Sequence, residues 1–250
     1  MPKNKAYPKN RRLKKSEVKE FIANGGAKFH EEFTKDTHEK YHTGEEKQDC
    51  VYELPNGDFM YVFGQSWGTL AGKGNYWERE SFLRHVKWSR KVDEDYKHGR
   101  GSSVGHWKFY SKQKNDLFNQ PDNNIEIISQ ELRIDKRKLN FSYDSLGLID
   151  EAVESYGVEK ATMTLYDALV FYVGQVIANR IGGQWKVDVE MGYDYPFITV
   201  ENTRLHYMPI NIVWGELDGS APCNMRKATA DEVKANAFLH PKNNLVVKGK

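Results

Sequence analysis

The chain has only two cysteines, Cys50 and Cys223, among its 250 residues. Thiols so few and so far apart exclude a disulfide-stapled scaffold and read as unpaired side chains of a reducing compartment. Long apolar runs are missing too. The longest, from Ala168 to Val173, is broken by Gly174 and Gln175, whereas a spanning helix needs roughly 20 apolar residues. No apolar segment follows the basic N-terminus, as a secretory signal would require. These absences lead to the expectation of a cytoplasmic protein with no membrane partner. Disorder is excluded from the other side: 39% of the residues are hydrophobic and 13% aromatic, enough for a core.

A large excess of one charge is also lacking, with 37 Lys and Arg against 35 Asp and Glu, but the charges are unevenly placed. Residues 1–15 carry seven basic side chains and no acid, and residues 241–250 carry three and no acid. The body from 16 to 240 holds 27 basic and 35 acidic residues, yet within it 71–115 is a basic island of 11 against 5. The acidic body disfavours a polyanion and favours a partner of opposite charge.

The pattern predicts an α+β protein in two halves, with helices packed on antiparallel sheet and a central apolar helix. The expected division is a flexible basic arm over 1–15, an N-terminal α+β region over 16–115 and a linker over 116–124. A C-terminal α+β domain over 125–240 and a basic tail over 241–250 complete it. Ser16 is placed to cap a helix to Asn24, and Phe29, Phe33 and Tyr41 share one face of a second helix over 27–42. Asn56-Gly57 between Cys50–Leu54 and Phe59–Phe63 signals a hairpin. A helix is expected from Trp77 to Glu94 and a strand over Val104–Tyr110. Further strands are expected over Ile125–Ile134, Leu139–Tyr143, Trp185–Val189, Phe197–Val200 and Leu205–Tyr207. Ser145 opens a helix ending near Gly157, Thr162–Ile181 is the central helix, stopped by Gly182-Gly183, and Thr229 caps a last helix over 230–239.

Three patterns have the residue types of chemistry. His38-Glu39-Lys40-Tyr41-His42 matches H-E-x-x-H, in which two imidazoles one helical turn apart hold zinc and the glutamate activates its water. His30 lies two turns back on the same row. The flanks, Thr34–Thr37 and Thr43–Glu46, are almost wholly polar, which suits an exposed helix better than a dry metal site. Gly101-Ser102-Ser103-Val104-Gly105 matches G-x-S-x-G, with His106 next. A nucleophile elbow needs a strand before it and a helix after it, and the flanking residues read as neither. An exposed Arg100, the basic island and the arm with Arg11, Arg12, Lys14 and Lys15 offer phosphate contacts. The acid pairs Asp93-Glu94-Asp95, Asp150-Glu151 and Asp188/Glu190 read as solvent-facing.

Leu139-Asn-Phe-Ser-Tyr-Asp-Ser-Leu-Gly-Leu-Ile-Asp150 and Phe171-Tyr-Val-Gly-Gln-Val-Ile-Ala-Asn-Arg-Ile-Gly-Gly-Gln-Trp185 resemble segments of uncharacterised bacterial domains, some found near polymorphic toxin and immunity genes. The resemblance covers 139–215. It implies structural roles for Gly174, Gly182, Gly183 and Trp185 and a role in binding a protein partner, and it brings no catalytic residues. The leading expectation is therefore a non-catalytic protein acting by protein–protein binding, as an immunity or antitoxin-like factor would on a basic toxin or enzyme. No catalytic, cofactor-binding or metal-ligating residue is assigned, and no cofactor is expected. The alternatives are a zinc metallohydrolase using His38, Glu39 and His42, and a nucleic-acid-binding protein using the arm and the 71–115 island.

Overall fold

The computed structural model describes residues 10–24, 26–41, 48–188, 193–219 and 221–237, without the side chains of 37–41, 188 and 193. The chain divides into two compact units, up to Ser89 and from Arg90 onward. Helices accompany antiparallel sheets in the α+β arrangement that the sequence predicts.

In the first unit the Asn-Gly turn does what its chemistry dictates. Gly57 takes a φ of 84°, and the flanking segments pair as β3 (Cys50–Glu53) and β4 (Phe59–Val62). With β1 (Arg11–Leu13), β2 (Lys28–Phe29) and β5 (Gly74–Trp77) they form an antiparallel sheet ordered β1-β5-β4-β3-β2. Strand alternation sends Met60 and Tyr76 to one face, against Leu13 of β1 and Val18 of helix α1 (Lys15–Asn24). Val51 and Phe59 go to the other, where Phe33 of α2 (Glu31–Tyr41) and Phe82 of α3 (Arg79–Lys97) meet them. The Phe59 and Phe82 rings stack at 4.4 Å.

Several expectations are corrected here. Residues 11–13 are a paired strand rather than part of a loose arm, because Leu13 finds a buried seat beside the sheet. Phe29 lies in edge strand β2 and is 53% exposed, and the helix starts only after His30. Trp77 ends β5 instead of opening α3.

The second unit is built around α7 (Val158–Ile181), whose residues from Leu165 to Val173 are all buried. Gly182 ends it in the left-handed conformation, with φ 66°. Of the described helices it alone is long and apolar enough to cross a membrane, and 83% of that apolar stretch is buried inside the fold. Around it lie α4 (Ser103–Tyr110), α5 (Pro121–Leu132), α6 (Tyr143–Tyr156), α8 (Pro209–Leu217) and α9 (Met225–Ala235). Strands β6 (Gln184–Asp188), β7 (Tyr193–Thr199) and β8 (His206–Tyr207) form a second antiparallel sheet.

Here the strand expectations fail where isoleucines and aromatics sit in helices. Ile128 and Leu132, one turn apart, are buried on α5, and Pro121 starts that helix with a φ suited to its first turn. Val104–Tyr110 is α4, and no strand forms over 139–143, where Phe141 takes a φ of 57°. The stretch 116–124 is no linker: Leu117 and Asn124 are fully buried within the second unit. Asn224, not Thr229, caps the last helix, and Thr229 is buried inside it. Ser142 rather than Ser145 is the α6 cap, with Ser145 completing a capping box.

Gly174 of α7 is required by close approach. A Cβ there would overlap the Trp185 ring and stand 2.9 Å from Pro209 Cγ. Gly174→Ala should cost about 1–3 kcal/mol through overpacking, read as a lower urea midpoint. Gly215→Ala, where a Cβ meets nothing within 4 Å, should not lower it.

Candidate functional site

A cleft of about 1110 Å³ opens in the second unit, between α6, the end of α7, and the loop leading into α9. Its α6 wall carries Asp144, Gly147 and Glu151, and the opposite wall carries Arg180, Arg226 and Lys227. Asp144 and Arg226 pair across it at 2.9 Å, while Lys227 pairs with Asp231 at 2.5 Å on its own helix.

The base of the cleft is held by carboxylates acting on backbone. The free amides at the start of α9 need acceptors. Asp150, 7% exposed, accepts from the Met225 amide at 2.8 Å and the Arg226 amide at 3.0 Å. Glu154 accepts from the Cys223 amide at 2.7 Å and Glu216 from the Asn224 amide at 2.7 Å. Burial raises the Asp150 pKa against the opposing pull of those amides. Burial also pushes up the Cys223 thiol, and the neighbouring Asp150 carboxylate adds to this. Cys50 and Cys223 both carry free thiols, as expected.

A second constellation lies in the interior, where α3, α4 and the end of α8 converge. Lys91 donates to Asp95 at 2.6 Å and to Asp218, and Arg100 Nε donates to Asp95 at 2.6 Å. Asp95 is 2% exposed and Asp218 7%. Burial acts against both carboxylates. In Asp95 the hydrogen bonds of Lys91 and Arg100 outweigh it and lower the pKa; in Asp218 it prevails over Lys91 and the pKa is raised. Burial likewise opposes the Lys91 ammonium, but its two carboxylate partners raise its pKa overall.

His106 stands beside this network with no exposed surface, and neither ring nitrogen has a hydrogen-bond partner. Its ring packs on Tyr110 at 4.3 Å and Tyr166 at 5.3 Å, and the Tyr166 hydroxyl is also buried and unpartnered. Burial first, then the nearby Lys91 and Arg100 charges, lower its pKa to about 4.

These positions revise the sequence-based candidates. Arg100, expected on the surface, is clamped inward on Asp95 with 16% of its side chain exposed. Asp95 and Asp150, read as solvent-facing, are both buried. Ser103 is the first residue of α4, so a helix does follow G-x-S-x-G, but helix α3 precedes it where an elbow needs a strand. His30 precedes α2 and accepts the Phe33 amide at 3.4 Å, so it is no third ligand on a helical row. His38 and Glu39 lie on α2 with side chains outside the described set; His42, Glu190 and the Asp188 side chain are outside it too, as is the 241–250 tail.

Lys91, His106 and Asp218 were not assigned from sequence. Lys91-x-x-x-Asp95 has the spacing of an ordinary surface pair, and Asp218 lies 127 residues away from Lys91.

No family model, curated protein or solved structure matches the chain.

Proposed function

We propose that the protein acts by binding, with the cleft of the second unit taking up a segment of a protein partner. One observation carries this reading: the cleft is open and large, and its walls bear charges of both signs. Its volume of about 1110 Å³ exceeds the usual range for small-molecule pockets, about 300–1,000 Å³. Opposed carboxylates and cations suit a polypeptide, which can present side chains of either charge together with backbone amide groups. The buried Asp150 and the partly buried Glu154 beneath it are meanwhile engaged with backbone amides.

The partner's chemistry follows from charge. Within the second unit, residues 90–115 hold 7 basic and 3 acidic side chains, whereas 116–240, which supply the cleft lining, hold 19 acidic and 11 basic. That acidic part favours encounter with a basic protein and gives salt-sensitive association. A basic toxin or enzyme restrained by this chain, in the manner of an immunity factor, fits that requirement.

Gly147 provides the test. Its Cβ position is 3.4 Å from Arg226 Cδ, the far part of a flexible side chain, so larger residues fit and project into the cleft. Gly147→Ala should raise stability by about 0.5–1 kcal/mol, as replacement of a helical glycine does. Gly147→Leu should remain folded but lose affinity for a partner recovered with the protein, identified and purified separately. Calorimetry in which Gly147→Leu binds that partner as tightly as the parent rules out the cleft as the binding site.

A further inference from the structure

We propose that Asp95, His106 and Asp218 form a binding site for a divalent transition metal, zinc in the first instance, whose place is held by the Lys91 ammonium. The residues come from three elements, α3, α4 and the end of α8. One ligand atom from each lies within 4.8 Å of the other two. Zinc bonds of about 2.0–2.1 Å place tetrahedral ligands about 3.3 Å apart, a contraction within reach of side-chain rotation.

Two carboxylates brought together would not by themselves amount to a site. The independent observation is His106, fully buried with both ring nitrogens unpartnered. A buried imidazole without a partner forfeits the hydrogen bonds it had in water. In its neutral form it has a free lone pair on one nitrogen, the form in which histidine binds metals. Two carboxylates and an imidazole form a mixed oxygen–nitrogen set suited to zinc, and the carboxylates balance the ion's charge.

Lys91 marks where the cation would sit, since its Nζ already contacts both carboxylates. Its side chain is 29% exposed, so the ammonium has a route to solvent. On exchange, the Asp95 and Asp218 oxygens that accept from Lys91 turn to the ion. Arg100 keeps the other Asp95 oxygen. The tethered ammonium competes with the metal and weakens its apparent affinity.

The experiment uses the chelator-stripped full-length protein and zinc chloride. Lys91→Met removes the competitor, leaves Asp218 without its cation and leaves Asp95 with Arg100 alone, so its Tm without metal should fall. Zinc should restore that Tm and bind at least tenfold more tightly than to the parent, and adding His106→Gln should abolish the rescue. Should Lys91→Met fail to fold, the parent chain carries the test. In a His38→Ala background, which removes the other candidate zinc ligand pair, His106→Gln should weaken zinc binding at least tenfold. Equal zinc affinity with and without His106, or a Lys91→Met Tm that zinc leaves unchanged, overturns the proposal.

Discussion

Asp95→Ala should lower the stability of the second unit by about 3–5 kcal/mol, the cost of breaking a buried ion pair from one side. Asp95 is the shared acceptor of Lys91 and Arg100, both at 2.6 Å, and is nearly inaccessible to solvent. Without it, the Arg100 guanidinium keeps the Phe109 ring, 4.6 Å away, but no carboxylate within the network. Lys91 retains only Asp218. Asp95→Asn keeps acceptor geometry without the charge and should fall between the parent and Asp95→Ala. Glu94→Ala, one residue away, is the control. Glu94 is exposed and pairs with His98 at 3.2 Å, so its loss should change stability by no more than about 0.5 kcal/mol. Urea denaturation followed by far-ultraviolet circular dichroism compares the four proteins. Equal midpoints for Asp95→Ala and Glu94→Ala would refute a structural role for the network.

The contrast between those neighbours also explains how much of the molecule is legible in its sequence. The β3–β4 hairpin and α7 are readable because a local rule decides each. Asn56-Gly57 accepts the turn conformation, and α7 is apolar on most sides, as only a central helix can be. Ile125, Ile127 and Ile128 have high strand propensity, but Pro121 and burial against α7 make them helical, a tertiary decision overriding a local one. Asp93-Glu94-Asp95 looks uniformly solvated, yet Asp95 alone meets Lys91 and Arg100 in the interior. Position on the helix separates it from Glu94, and only the arrival of Asp218 from the end of α8 completes its surroundings. The cleft was hidden for the same reason: its walls are brought together by α6 capping α9 through Asp150, across a separation of 75 residues.

Acid should destabilise the protein through His106 at pH values where Asp95, with its lowered pKa, remains ionised. The folded pKa of about 4 lies below the ordinary histidine value of 6.5, so the folded state resists a proton that the unfolded chain accepts. His106 therefore favours folding in full above pH 6.5. That contribution shrinks as pH falls from 6.5 to about 4, by about 3 kcal/mol in total. The groups around the ring fix the sign. Lys91 from α3 and Arg100 beyond it repel an imidazolium, Asp95 attracts one, and Tyr110 of α4 and Tyr166 of α7 enclose the ring. Asp95, with a lowered pKa, loses its contribution only as pH falls through its folded value, below this window. Asp218 and Asp150, raised by burial, bind protons in the folded state first and add stability as pH falls, opposing His106. Comparison with His106→Phe removes these shared effects, since the phenyl ring fills similar space and takes no proton. The variant should gain about 3 kcal/mol on the parent between pH 6.5 and 4, measured by urea denaturation at each pH. A difference that stays constant across that range would mean that His106 is not held neutral by its surroundings. A difference that grows as pH falls would identify the buried, unpartnered imidazole as the acid-sensitive point of the second unit.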